Sequence, residues 1–539
     1  MGQIKLLDCT LRDGGYLNDW KFGHDNIVTI FERLVSAGLD IIEVGFLDER
    51  REYDYERSIF PDTKSVERSY GELKRDSSMV VGMIDFGTCG IENVQMCSES
   101  YLDGIRVIFK KGKMHEAIRF CSLLKQKGYA VFAQAVSITS YNDEEFAELV
   151  KLVNDICPYA FSLVDTYGLL HKQQLEHYFV MADRQLKPEI GLGYHAHNNF
   201  QLAYANCIEV LEKELDRTLI IDGTLYGMGK SAGNAPTELL SMYMNEHNGK
   251  NYRTHQLLEA IDVTMLDIYR QIHWGYSFKF FLSASNDCHP NYVAFLQDKG
   301  TLSVKSINKI LASICPEKKL LYDENYIEEL YMEYQNKECE DADVYAKLNG
   351  ILRNRNVLVL GSGNNVYLQK EKVLDYMEKY NPLVISVNFL PDLYKIDFLF
   401  MSNSKRYVQM ATRLKAKDSK IRIIATSNIT SSSDTFDYVL NYGKLLDEKA
   451  RMRDNPLFML LKIFKDSEMA DIALAGFDGY DMARTTNYVN ANMEYTFTKE
   501  RAQEINEDVR NSLERSGLKE KITFITDSYY VLNEGNEFV

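Results

Sequence analysis

Gly191-Leu-Gly-Tyr-His-Ala-His-Asn-Asn199 is an apolar run that ends on two histidines, His195 and His197, spaced i and i+2. A strand returns its side chains to the same face every second residue, so both imidazoles leave one face and can share one metal ion. Working outward, short runs rich in Ile, Val and Leu recur at Ile4 to Leu7, Asp40 to Val44, Met79 to Ile84, Ile105 to Phe109, Ala130 to Ala135, Phe161 to Val164, Ile190 to Tyr194 and Leu219 to Ile221. Amphipathic stretches such as Asn26 to Ala37, Glu144 to Asn154 and Gln201 to Lys213 separate them, with apolar residues at helical spacing. Eight strands alternating with helices predict an α/β fold, an N-terminal (β/α)8 TIM barrel with its working residues at the strands' C-terminal ends. A doubly wound sheet shows similar alternation. It gives no reason for polar motifs to follow the first, second, sixth, seventh and eighth strands together.

The first of those motifs is Leu6-Leu-Asp-Cys-Thr-Leu-Arg-Asp-Gly-Gly-Tyr16. Asp13 joined to His195 and His197 makes a donor set of one carboxylate and two imidazoles, which leaves positions open for a chelating substrate. Oxygen and nitrogen donors without cysteine suit Mn2+ or Mg2+, and Zn2+ is compatible. The competing reading is a hydrogen-bonded histidine pair on a barrel strand.

Composition narrows the class. The chain has 539 residues, more than one hydrophobic core usually serves, so more than one domain is expected. No stretch approaches the roughly 18 continuous apolar residues of a membrane span. The charged motif follows the N-terminus at once, with no signal-peptide core, and the nine cysteines show no CxxC pair, so a cytoplasmic setting is expected. A net charge of −16 opposes non-specific nucleic-acid binding. A homodimer is compatible with this reading, and the sequence does not fix the oligomeric state.

The barrel is expected to end near Asn245, followed by a helical extension over 246–345 that includes Trp274-Gly-Tyr-Ser-Phe278 and Asn286-Asp-Cys-His-Pro-Asn-Tyr292. A strand pattern then restarts at Val357-Leu-Val-Leu-Gly-Ser-Gly-Asn-Asn365. Further strands at Leu383 to Val387, Phe398 to Met401, Ile421 to Ala425 and Ile472 to Ala475 predict a Rossmann-like α/β domain over 354–539. Its glycine turn, with Gly361, Gly363 and Asn364, could cradle phosphates on main-chain amides; a turn needed only for geometry reads the same way.

Leu11-Arg-Asp-Gly14, Ile42-Glu-Val-Gly45, Val164-Asp-Thr-Tyr-Gly168, His195-Ala-His-Asn198, Asp222-Gly-Thr-Leu-Tyr-Gly-Met-Gly229 and Gly233-Asn-Ala-Pro-Thr-Glu238 together resemble the DRE-TIM metallolyases. That superfamily includes 3-hydroxy-3-methylglutaryl-CoA lyase, isopropylmalate and homocitrate synthases, and 4-hydroxy-2-oxovalerate aldolase. The resemblance covers the whole barrel, in order. It implies Asp13, His195 and His197 as metal ligands, with Asn234 matching a ligand of the lyase branch. It also implies that Asp165 and Thr166 line the substrate pocket, where a helix cap is the competing reading. Arg12 can place a guanidinium against a developing oxyanion, and Glu43 is expected to orient it.

The activity so implied is metal-dependent aldol or retro-aldol chemistry on the enolate of a 2-oxo acid such as pyruvate, with an aldehyde as second partner. Two departures bear on it. The aldolases carry a histidine shortly after Arg-Asp-Gly where this chain has Gly15-Tyr16, so Tyr16 is the proton-relay candidate, with His289 as an alternative base. The lyase branch uses a cysteine in its glycine loop where this chain has Met228, Gly229 and Lys230, which disfavours hydroxymethylglutaryl-CoA cleavage. The alternatives are a Claisen-type acyl-CoA synthase, or a catalytically silent barrel joined to a nucleotide-sugar-binding module. The second domain faintly resembles Rossmann-like domains of bacterial sialyltransferases, through Ser386-Val-Asn388, Asp397-Phe-Leu-Phe-Met-Ser-Asn403 and Ala475-Gly-Phe-Asp-Gly-Tyr480. That resemblance implies a nucleotide or nucleotide-sugar ligand and a place in bacterial surface-sugar synthesis.

Overall fold

A computed structural model describes residues 2–416, 421–429, 436–465, 467–481, 487–490 and 499–531. The chain divides into two compact units, Met1–Pro290 and Asn291–Val539. The division falls inside the helical stretch read from the sequence as 246–345.

The first unit is a closed parallel barrel of β1 (Ile4–Asp8), β2 (Ile41–Leu47), β3 (Met79–Asp85), β4 (Gly104–Phe109), β5 (Ala130–Ala135), β6 (Ala160–Asp165), β7 (Gly191–Ala196) and β8 (Leu219–Gly223). Each strand pairs with the next, and β1 pairs with both β2 and β8, which closes the ring. Closure covers both strand faces, so β2 and β6 to β8 are buried along their whole length and read as continuous apolar runs rather than alternations. The helices supply the outer layer; His24–Ala37 turns Ile27, Ile30, Phe31 and Leu34 inward.

The barrel interior is graded. Its floor is apolar, with Leu7, Ile41, Val81, Phe132, Ala160 and Ile220 packed together. Above that floor, toward the strand C-termini, buried charges begin. The register of β2 shifts between Glu43 and Phe46, and Gly45 sits there at φ 151°, where an added Cβ would lie 2.0 Å from the Ser58 carbonyl oxygen. That irregularity is the kind that re-aims a side chain at a barrel rim.

The second unit holds a seven-stranded parallel sheet: β9 (Val357–Leu360), β10 (Leu383–Val387), β11 (Phe398–Met401), β12 (Arg422–Thr426), β13 (Tyr438–Leu440), β14 (Ile472–Ala475) and β15 (Ile522–Phe524), in the order β13-β12-β11-β10-β9-β14-β15. Val357 and Val359 pack into one hydrophobic cluster, Leu358 and Leu360 into another, so apolar residues cover both faces. The chain winds one way from β9 to β13 and then crosses to the other side of β9. Strands β13 and β15 escape a reading of the sequence because three residues each are too few to carry a detectable period.

Candidate active site

The turn after β1 is held by buried polar groups. Asp8 accepts from the Thr10 amide at 2.9 Å and from Thr237 Oγ1 at 2.6 Å, while Thr10 Oγ1 accepts from the Leu225 amide at 2.7 Å. Ser58 Oγ donates to the Leu11 carbonyl and Trp20 Nε1 to that of Arg12. The short helix Thr10–Asp13 is thus pinned to the loop after β8, with Arg12 and Asp13 both buried.

His195 and His197 face it from the end of β7. His195 Nδ1 bonds to Asp222 Oδ2 at 2.9 Å and His197 Nδ1 to the Asp165 carbonyl oxygen at 3.0 Å. Both anchors accept a hydrogen bond, so each Nδ1 carries the ring proton and both Nε2 atoms are left as acceptors. Those two Nε2 atoms are buried without a hydrogen-bond partner, and the rings stand 4.9 Å apart at 76°. Burial lowers the His195 pKa to about 4, ahead of the opposing pull of Asp222, so the ring is neutral at pH 7 as a ligand must be. Burial alone would raise Asp13; the Arg12 guanidinium beside it outweighs burial and holds the carboxylate well below its ordinary range.

Asn234 completes the group. Its Nδ2 donates to Asp13 Oδ2 at 2.6 Å, and its Oδ1 is buried without a partner. Donor atoms of Asp13, His195 and His197 lie within 4.8 Å of one another. A Cβ added to Gly229 would sit 2.3 Å from Asn234 Nδ2 and 2.5 Å from Asp13 Oδ2, so this glycine keeps the cradle open. Unpartnered buried acceptors cost free energy unless something binds them, and a divalent ion fits this donor set. Cys9, His195 and Asp222 also converge. They make no second centre, because the Cys9 thiol donates to the Gly223 carbonyl, burial pushes its pKa up, and His195 Nδ1 is already engaged.

Beneath the cradle runs a chain of alternating charge. Arg12 bonds to Asp13 and, through Nε, to Glu43 Oε2 at 2.8 Å; Arg106 reaches the same Glu43 oxygen at 2.9 Å and Asp222 with its other arm. Asp222 in turn holds His195. Arg106 was missed from sequence, although a lone arginine inside Gly104-Ile-Arg-Val-Ile-Phe109 was a usable signal, since a buried guanidinium requires carboxylates. Asp222 belongs to the motif Asp222-Gly-Thr-Leu-Tyr-Gly-Met-Gly229, and its role emerges only from the pairing with Arg106 and His195.

The remaining expected residues divide. Tyr16 lies at the mouth, its ring 5.1 Å from Trp20 and 5.0 Å from Lys230 Nζ. Although the residue is 38% exposed, the protein packed around its ring pushes the phenol pKa upward, so it is a proton donor and not a base at neutral pH. Lys230, unassigned from sequence, donates its amide to Asp13 Oδ2 at 3.1 Å. His289 is brought to within 6.0 Å of the Tyr167 ring, and burial, then Lys230, lowers its pKa to about 4. Asp165 and Thr166 act on the loops instead of facing the pocket with free groups. The Asp165 carboxylate accepts from the Leu169 and Leu170 amides at 2.8 and 3.0 Å, and Thr166 Oγ1 accepts from the Ser137 amide. These bonds brace the loops, and the helix that follows, Lys172–Gln185, has His171 and not this pair at its N-cap.

The glycine turn of the second unit does not offer an open phosphate cradle. The amides of Gly361 and Gly363 donate to the carbonyls of Ala475 and Gly476, that of Asn364 to Asn487, and that of Asn365 to Asp478 Oδ2 at 2.8 Å. A Cβ on Gly363 would fall 2.6 Å from the Asp478 carboxyl, so glycine is required there for packing. A carboxylate already stands where the phosphate was expected.

A closed barrel with a buried Asp-His-His-Asn cradle beside an arginine, at the strands' C-terminal ends, is the arrangement of the DRE-TIM metallolyase superfamily, and the barrel is a member of it. Residues 3–264 match the HMGL-like family. Over 250 residues the chain is 28% identical to a 4-hydroxy-2-oxovalerate aldolase of Chloroflexus aggregans, covering 45% of this chain and 69% of that one. It is 27% identical to an oxaloacetate decarboxylase of Mycobacterium tuberculosis over 44% of this chain and 68% of the relative. Among solved structures, a hydroxymethylglutaryl-CoA lyase from Pseudomonas aeruginosa overlays 49% of this chain and 93% of its own at 16% identity, with a TM-score of 0.41. The unit is an enzyme of the lyase superfamily. Among the described residues, no helix is long and apolar enough to cross a membrane.

Proposed function

We propose that the barrel is a divalent-metal-dependent aldolase that makes or breaks a carbon-carbon bond through the enolate of a 2-oxo acid such as pyruvate, with a small aldehyde as the other partner. The observation that carries this reading is the set of unpartnered buried acceptors, His195 Nε2, His197 Nε2 and Asn234 Oδ1, arranged around the ionised Asp13. When bound, a divalent ion such as Mg2+ or Mn2+ supplies positive charge to the carboxylate and ketone oxygens of the 2-oxo acid and lowers the cost of enolisation.

The chain's own groups do the rest. Arg12, locked between Asp13 and Glu43, presents a fixed guanidinium to the same oxygens, so no reorganisation is needed as negative charge develops. Asp222 and the Asp165 carbonyl hold the two imidazoles in one tautomer. Tyr16, protonated at neutral pH, can give a proton to an alkoxide at the mouth. Two relatives bear different names, an aldolase and a decarboxylase. Cleavage of a 4-hydroxy-2-oxo acid and loss of carbon dioxide from oxaloacetate both leave the pyruvate enolate, so the shared intermediate supports the reading. The test is exchange of deuterium from solvent into the methyl group of pyruvate, followed by NMR. Metal-dependent exchange that stops with chelator is expected; its absence in the Mn2+- and Mg2+-loaded protein would overturn the proposal.

A further inference from the structure

We propose that the barrel mouth holds a subsite for an anion, made by Lys230 with Lys110, and that the aldehyde partner therefore carries a carboxylate or phosphate group. The subsite presupposes the aldolase reading above and sets the class of its second substrate. Two strands aim side chains at this mouth. On β3, Val81 packs into the barrel floor and Met83 into the cluster of Phe46 and Ile59, so Asp85 continues the same inward face at the strand's C-terminal end. On β4, Arg106 reaches inward to Glu43 and Asp222, and Ile108 packs beside the Phe46 cluster. The backbone stays extended at Lys110 (φ −81°, ψ 154°), so its side chain leaves on that face too.

Lys230 comes from the loop after β8. Its amide donates to Asp13 Oδ2 at 3.1 Å, which ties the residue to the metal cradle, and its Nζ stands 5.0 Å from the centre of the Tyr16 ring. The side chain therefore runs from the cradle to the mouth. Among the described residues, neither this half-buried ammonium nor that of Lys110 closes an ion pair or a side-chain hydrogen bond, and neither does the Asp85 carboxylate. Burial raises the Asp85 pKa against the pull of Lys110 and then Lys230, so the three groups lie within electrostatic reach of one another. Two cations facing one carboxylate leave one positive charge over, because Arg50 is spent on Asp48 at 2.7 and 2.6 Å. The face of Tyr16 attracts the Lys230 ammonium but cannot replace an anion that accepts its N–H groups. An ammonium drawn out of water without an anion is costly, and a carboxylate or phosphate on the ligand supplies the missing acceptor. Tyr16, the proton donor for the alkoxide, marks the end of the site where the aldehyde sits, so the anion belongs to that partner and the carboxylate of the 2-oxo acid to the metal.

The full chain, loaded with Mn2+, is given pyruvate and aldehydes in matched pairs, with the 4-hydroxy-2-oxo product followed by NMR. Butanal against succinic semialdehyde tests a carboxylate, and glyceraldehyde against glyceraldehyde 3-phosphate tests a phosphate. In at least one pair the anionic member should have a kcat/KM about tenfold above the neutral one, the scale of one hydrogen bond to a charged group. Lys230→Met should cut that ratio about tenfold, chiefly through KM, while Lys230→Arg should keep most of it. Lys110→Ala, at an exposed position, should cut it about threefold. A merely structural role for Lys230 would slow both members alike and leave the ratio in place. Equal use of both members in both pairs, or an unchanged ratio in Lys230→Met, would overturn the proposal. Should Lys230→Met fail to fold, the ratio in Lys110→Ala decides. If neither pair reacts, deuterium exchange into pyruvate separates the failures: exchange retained overturns the anionic subsite alone, and exchange absent overturns the aldolase reading and the subsite with it.

Discussion

Arg106 and Glu43 are joined through one oxygen: Arg106 Nη1 donates to Glu43 Oε2 at 2.9 Å, the same atom that receives Arg12 Nε at 2.8 Å. Two guanidiniums thus share one carboxylate oxygen inside the barrel. The second arm of Arg106 goes to Asp222 and so to His195, which couples the placement of Arg12 to that of a proposed metal ligand.

Arg106→Met should therefore damage fold and site together. Removing one partner from a buried charge network leaves the others uncompensated, at a cost of about 3–5 kcal/mol. Urea unfolding reads the stability, and metal binding by the surviving folded fraction should weaken as well. A loss under 1 kcal/mol would mean that Glu43 and Asp222 are compensated by other groups.

His195→Ala and Asp13→Asn should each lower affinity for Mn2+ sharply, since the first removes an imidazole donor and the second the only anionic charge in the set. Gly229→Ala is the more specific variant, because it leaves every donor in place and fills the cradle with one methyl. A loss of about 10–100-fold in Mn2+ affinity is expected, the scale of disturbed supporting contacts at metal sites. Metal titration is the readout, and unchanged affinity in all three variants would end the metal assignment.

Arg12→Lys should keep the metal but lose pyruvate exchange by about 10²–10³, the usual effect of deleting one transition-state donor. Lysine carries the charge yet cannot bond Asp13 and Glu43 in fixed geometry while facing substrate. Exchange at the wild-type rate would remove Arg12 from the chemistry.

Stability should fall with rising pH on account of Asp8. Burial raises its pKa to about 6, against the partial relief of its bonds from Thr237 and Thr10. A raised carboxyl pKa means the folded state holds the proton more tightly. Its contribution is complete below the ordinary pKa near 4 and is lost as pH climbs through about 6, roughly 3 kcal/mol for a shift of about two units. Asp8→Asn cannot titrate, so its unfolding free energy should decline less than that of the wild type between pH 4 and pH 7. Parallel slopes for the two proteins would contradict the assignment.

Much of the barrel was legible in the residues. Strands covered on both faces must be apolar throughout, so eight short Ile-, Val- and Leu-rich runs announced themselves, and Asp13, His195 and His197 stood out because charged and imidazole groups rarely end such runs without a function. The i, i+2 spacing of the histidines needed only strand geometry to place both on one face. The roles of Arg106, Asp222, Gly229 and Lys230 had no such local signature. Arg106 meets Glu43 across 63 positions and Asp222 across 116, and no period in the chain encodes pairings that exist only when the barrel closes. The glycine turn at Gly361 to Asn365 shows the converse. Its residues allowed a phosphate cradle, but only the fold could bring Asp478, 113 positions away from Asn365, to the amide that the phosphate would have used. Local sequence determines which backbone shapes and side-chain directions are available; which donors remain unspent is decided by contacts between distant segments, and that is a property of the tertiary structure.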